Sequence, residues 1–294
     1  LMQLFTIGLH ELRPDGSVVT DAGGRPVETY GNADVMALAR VFTGYGWAFP
    51  DSELTEAKLR AGWPDYSADG DRRIDLQRMK AYPGQHSLLE KRLFAGKPWE
   101  RSIAAGGSAA SDLKIALDTL ANHPNVAPFM SEQLIKRFVT SNPSRAYVAR
   151  VAAVWANNGR GVRGDLAAVL RAILLDTEAR SDTMLADARY GKLREPMMRF
   201  GHWLRAFNAR PNDGVWTIWN LEDPVTSLGQ NPQRSPSVFN FFRPDYAPPG
   251  PILGAGLTAP EFQITHETTL TGYSNFMSYL AERGFGGKIL PSYS

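Results

Sequence analysis

The chain has 294 residues, of which 43% are apolar and 21% charged, proportions that exclude a disordered or collagen-like polypeptide. Lys plus Arg is 32 and Asp plus Glu is 30, so the net charge is +2 and no concentrated basic face signals a nucleic-acid partner. Cysteine is absent, which removes disulfides, thiolate nucleophiles, iron–sulfur clusters and cysteine zinc sites. No run approaches the ~18 consecutive apolar residues of a spanning helix, so no membrane span is expected.

Leu1, Leu4, Phe5 and Leu9 follow helical spacing with no N-cap ahead of them, as in a helix whose beginning lies upstream. Their apolar face calls for cover from a preceding segment or from a second copy of the chain. A hairpin is expected next, with Val18, Val19 and Thr20 facing Val27, Thr29 and Tyr30 across Asp21-Ala22-Gly23-Gly24. Asn32 then caps a helix carrying Val35, Leu38, Ala39 and Phe42. Residues 43–111 are punctuated by glycine and proline, with a short helix over Ser52 to Ala61 and a flexible link over Gly106 to Ser111.

From Asp112 to Asp176 the helical pattern is strong. The expected stripes are Leu113, Ala116, Leu117 and Leu120; then Met130, Leu134 and Phe138. Tyr147, Val148, Val151, Val154 and Trp155 form the third, and Leu166, Val169, Leu170, Ile173 and Leu174 the fourth. Pro196 opens another helix with Met197, Phe200, Gly201, Leu204 and Phe207 inward. Residues 208–258 form a long loop rich in proline, aromatics and amides. Pro260 opens a last helix with Tyr273, Phe276, Met277 and Leu280 on its inner face. The fold class is mainly α: an irregular multi-helix bundle with one small β-hairpin and a long ordered aromatic-rich loop. It reads as a single helical domain over 1–294, with a subdivision conceivable between 1–105 and 112–294.

The stretches LMQLFTIGLHELRPDG, ADVMALARVFTGYGW, YPGQHSLLEKRLFAG, LANHPNVAPFMSEQLIKRFVTSNPSRAYVARVAAVW, KLREPMMRFGHWLRAF and GQNPQRSPSVFNFFRPDYAPPG resemble a bacterial family, number 1800 of the domain-of-unknown-function series. The resemblance covers essentially the whole chain. It implies a C-terminal portion of a longer helical protein, and it implies export to the periplasm or the cell exterior. It carries no catalytic residues over to this sequence.

The loop 208–246 is the place to look for chemistry, because long loops without secondary structure are uncommon and often functional. Trp216, Trp219, Phe239, Asn240, Arg243 and Tyr246 form a candidate substrate surface: flat rings stack on sugars, and amides and guanidinium groups hydrogen-bond hydroxyls. Sugar hydrolysis needs two carboxyls, about 5–5.5 Å apart for retention or about 6.5–9.5 Å for inversion. Glu222, Asp245, Glu261 and Glu267 are the candidates. The plainer reading is a loop pinned to the bundle by its own aromatics, with Arg and Asn satisfying its backbone.

Weaker signals lie elsewhere. His10-Glu11, His86 with Glu90, and His266-Glu267 pair imidazole with carboxylate, while His123 before Pro124 reads as packing at a helix junction. No histidine metal motif is present, and no cofactor is expected. Asp65, Ser67, Asp69 and Gly70 imitate the first half of a calcium loop, but its twelfth position is Leu76; Asp71 or Asp75 would have to substitute, and a solvated acidic turn is the favoured reading over calcium. Ser111-Asp112-Leu113-Lys114 is an SxxK string of the kind used by serine acyl-transfer enzymes, on what is also an ordinary helix start. Lys192, Arg194 and Glu195, like Glu132, Lys136 and Arg137, read as ion-pair clusters. Two main functions stay open: an exported hydrolase acting on a polysaccharide, and a non-catalytic binding or assembly module of the cell envelope. An SxxK-type serine esterase is a third.

Overall fold

The computed structural model describes residues 1–49, 55–56, 77–211, 214 and 221–284. The helix expected over Ser52 to Ala61 falls largely outside them, and Trp216, Trp219, Asp65, Asp69, Asp71 and Asp75 do so entirely. The described secondary structure is mainly helical, with two small antiparallel two-stranded sheets. No described helix is long and apolar enough to cross a membrane. The chain divides into two compact units, Leu1–Met130 and Ser131–Ser294.

The first unit opens with a π-helical turn, Met2–Thr6, that buries Met2 and leaves Leu1 and Phe5 exposed. The helix predicted to run on to Leu9 stops there: Gly8 takes a left-handed backbone (φ 71°), and the Leu9 carbonyl beyond it accepts the Thr29 N–H at 3.0 Å. The expected hairpin forms with a third segment beside it. Thr20 bridges Pro26 across the Asp21 turn, while Leu12 bridges Val18 and His10 bridges Glu28. Buried Asn125 holds this edge in place. Its amide nitrogen donates to the carbonyls of Ile7 and His10, and its oxygen accepts the Leu12 N–H.

Helix α1 (Asn32–Val41) buries Asp34, Ala37, Leu38 and Val41, one position off the predicted face, and exposes Val35 and Phe42. The face rotates because Asp34 points inward. One of its oxygens accepts the Gly31 N–H and the other the Phe94 N–H, each a backbone donor that needs a partner. Strand β1 (Tyr45–Gly46) pairs with β2 (Lys80–Ala81). Strand β3 (Lys91–Leu93) pairs with β4 (Arg101–Ile103), Lys91 opposite Ile103. The predicted link at 106–111 is instead a helix start. Ser108 caps α2 (Ala109–Asn122), its hydroxyl accepting the Ser111 N–H. The buried stripe of α2 includes Asp112, Ala116 and Leu120, whereas Leu117 is exposed.

Helix α3 (Val126–Phe138) buries Ser131 and Ile135 in place of the predicted stripe, and Phe138 is exposed. In the second unit, α4 (Arg145–Ala156) buries Tyr147, Val148, Val151, Ala152 and Trp155, close to expectation. It packs on α5 (Leu166–Leu175), which buries Val169 and Ile173 but exposes Leu166 and Leu174. The Tyr147 hydroxyl donates to the Ile173 carbonyl at 2.5 Å, in the last turn of α5, where carbonyls lack helical partners. A short helix, α6 (Thr177–Arg180), follows, then α7 (Pro196–Ala206) with Pro196 at its first turn. Phe207, predicted inward, is exposed. After α8 (Pro251–Gly254), Pro260 opens only a 3₁₀ turn, Pro260–Ile264. The last helix, α9 (Glu267–Arg283), starts after it. The core here is Phe200, Leu221, Leu228, Phe276 and Leu280.

Candidate functional site

The loop that follows Leu221 is tied down at its start. Leu221 and Leu228 sit in the core, and the loop backbone crosses α9 at Gly272, where a Cβ would stand 2.3 Å from the Pro224 oxygen. Gln230 is buried and bridges two elements: it donates to Glu195 and accepts the Met197 N–H at 3.1 Å. The other Glu195 oxygen pairs with Arg137. Lys192 donates to the carbonyls of Lys136 and Arg137 at the end of α3, and its charge meets Glu261 at 2.7 Å. Glu132 pairs with Lys136 and Arg145. Most of the charged residues seen in the sequence are thus ion-paired at helix ends and the loop base, whereas Arg194 faces the His202 ring.

Beyond that base the loop turns outward. Ser237 forms a tight turn, its carbonyl accepting the Asn240 N–H at 3.1 Å, and Asn240 takes a left-handed backbone (φ 69°). Phe239 stays 39% exposed, and the Arg243 guanidinium lies 6.0 Å from its ring centre. The Arg243 N–H donates to the Gln263 side chain at 2.7 Å, and Tyr246 accepts the Ala259 N–H at 2.8 Å. Phe239, Asn240, Arg243 and Tyr246 therefore belong to one fixed stretch, with Phe239, Asn240 and Arg243 exposed and Tyr246 half-buried.

The four carboxylates differ in setting. Glu222, partly exposed, is held by both nitrogens of the Arg234 fork at 3.2 Å. Asp245 is exposed within the fixed stretch, and Glu267 is exposed in the first turn of α9. Glu261 is buried against Lys192, and its second oxygen has no hydrogen-bond partner among the described residues.

The first unit holds a polar centre that sequence reading missed. Asp112 is buried, and one oxygen meets both Lys91 Nζ at 2.5 Å and His86 Nε2 at 3.1 Å. Ser111 donates to the other oxygen at 3.2 Å, and Lys91 also donates to the Ser87 carbonyl. His86 Nδ1 faces the Thr43 carbonyl at 2.9 Å. Burial alone would raise the Asp112 carboxyl, but the hydrogen bonds from Lys91, His86 and Ser111 outweigh it and hold the carboxyl below its ordinary range. His86 thus takes Asp112 and not the expected Glu90, which is exposed; residues 87–90 are not helical, so an i,i+4 spacing brings nothing together there. The one available signal was an acidic residue on the i,i+4 stripe of α2. His123 packs between the rings of Phe94 and Trp99, in line with a junction role. In the SxxK string, Lys114 reaches Asp118 and Ser111 donates to the Ser108 carbonyl, as helix-start residues do.

Fold and site together define a mainly helical protein with a braced, solvent-facing aromatic loop. The chain belongs to the DUF1800 family, described as a protein of unknown function, whose model matches residues 1–292. Neither a curated protein nor a solved structure matches it significantly.

Proposed function

We propose that the protein is an exported component of the cell envelope that binds a polysaccharide through Phe239, Asn240, Arg243 and Tyr246, in the periplasm or outside the cell. The observation that carries this reading is the exposed Phe239 ring with Arg243 beside it, on a stretch braced by Ser237 and Gln263. A fixed ring offers a flat apolar face to sugar C–H groups at little conformational cost, and the neighbouring amide and guanidinium supply donors for hydroxyls. Cosedimentation with insoluble polysaccharides tests the reading. Retention by the wild type, with loss in Phe239→Ala at unchanged thermal midpoint, supports it; equal retention of both proteins contradicts it.

Hydrolysis is the second reading, favoured by Glu222 and Asp245 being solvent-accessible carboxylates on the same loop. One would act as acid and the other as base or nucleophile. A reducing-sugar assay on bound polysaccharide tests it, with Glu222→Gln and Asp245→Asn expected to abolish release without loss of binding.

A further inference from the structure

The second unit carries a cavity of about 580 Å³ along α4 and α5, away from the aromatic loop in sequence and unused by the reading above. We propose that it binds an amphiphilic carboxylate, a molecule with an apolar chain and one anionic head. The volume falls within the range of small-molecule sites. Its apolar lining comes from Val151, Val154, Ala168 and Ala172, on the solvent-open side of the two packed helices. Leu175, 60% exposed, extends that apolar surface outward.

The charges on the lining do not cancel. Arg150 is committed to Asp176 through two bonds of 2.8 and 2.7 Å. Asp165 is occupied by the Ala168 N–H and the Asn158 amide, and Arg160 reaches it only at 3.6 Å. Arg171 lines the cavity, is exposed, and makes no hydrogen bond or ion pair with a described residue. One guanidinium is thus uncompensated and a second is loosely held, beside an apolar floor. A guanidinium fork matches a carboxylate in two parallel bonds. A small inorganic anion would leave the floor unused, and an uncharged chain would leave Arg171 unused.

The loop that presents Arg160 is built to stay in place. Asn157 Oδ1 accepts the N–H groups of Gly159 and Gly161, each at 2.9 Å, and Asn158 Oδ1 accepts those of Arg160 and Val162 at 2.9 and 3.2 Å. Gly159, Gly161 and Gly164 all take positive φ, which lets the chain turn this tightly. The Arg160 backbone is therefore fixed beside the cavity, while its side chain is 81% exposed, leaving Arg171 as the main anion-facing group.

Calorimetric titration of the full chain with decanoate, decanol, acetate and phosphate tests the proposal. Decanoate is expected to bind saturably, and the other three at least about tenfold more weakly. Arg171→Glu should weaken decanoate at least about tenfold with the thermal midpoint kept, since that side chain bonds to nothing described. Ala172→Trp should abolish binding by filling the cavity; should it fail to fold, Arg171→Glu still decides. No saturable decanoate binding, equal binding of decanol or phosphate, or an unaffected Arg171→Glu variant would overturn the proposal. The outcome is independent of polysaccharide binding at Phe239.

Discussion

Gly272 of α9 and Pro224 of the loop are in backbone contact: a Cβ on Gly272 would lie 2.3 Å from the Pro224 oxygen and 2.8 Å from that of Val225. Only glycine lets the loop base lie this close to the helix. Gly272→Ala should destabilise the protein by about 1–3 kcal/mol, because a backbone oxygen cannot rotate out of the way. Urea unfolding checks this; an unchanged midpoint would show that the loop base does not pack there.

Asp112 should be the costliest charged residue to remove. Asp112→Ala leaves Lys91 buried and unpaired, at about 3–5 kcal/mol. The carboxyl is held below its ordinary value in the folded state, so its contribution is complete above the unfolded value of about 4 and is lost as pH falls through the depressed native value. Stability curves of wild type and variant should converge toward low pH. Parallel curves down to pH 2 would contradict the account.

Tyr147 makes the opposite pH prediction. Burial is the largest cause of the rise in its phenol pKa, and the negative charges of Asp176, Tyr190 and Glu178 add to it. The folded protein therefore retains a proton that the unfolded chain releases near its ordinary value of about 10. This contribution is complete below that value and is lost as pH rises above it. Tyr147→Phe should remove much of the alkaline instability and, at neutral pH, cost about 1–3 kcal/mol by orphaning the Ile173 carbonyl. Denaturant titrations at neutral and alkaline pH measure both effects.

The face of α4 was legible from apolar spacing, with Tyr147, Val148, Val151 and Trp155 buried as predicted, whereas α5 is apolar nearly all round and its spacing did not separate buried Val169 and Ile173 from exposed Leu166 and Leu174. Where a polar residue shares the face, the face was not legible either. Asp34 on α1 and Ser131 on α3 are buried, and each turns its helix away from the stripe that apolar spacing suggests. Apolar periodicity cannot register an acid that is buried because two backbone N–H groups need it. The charged residues around Lys192 and Glu195 were legible as ion-pair clusters, since their density at helix ends is itself a local signal. His86 and Asp112 meet across 26 residues of sequence, His86 just after the Pro83–Gln85 turn and Asp112 in the first turn of α2, a contact that no motif marks. Of the loop, the residue types were visible in advance; the bracing by Gln230, Gln263 and Gly272 was not.

Arg243→Ala should weaken polysaccharide binding less than Phe239→Ala, because the ring supplies contact area whereas the guanidinium braces that ring through an intramolecular cation–π contact, of about 0.5–1 kcal/mol when exposed, and offers the sugar hydrogen bonds that water also offers. A binding isotherm for each variant ranks them; a larger loss in Arg243→Ala would point to charge recognition.

Amide hydrogen exchange of the full chain, with and without a retained polysaccharide, tests the central claim most directly. Slowed exchange confined to 237–246 and its brace near Gln263 is the predicted result. Saturable binding with protection elsewhere and none in that stretch would contradict it.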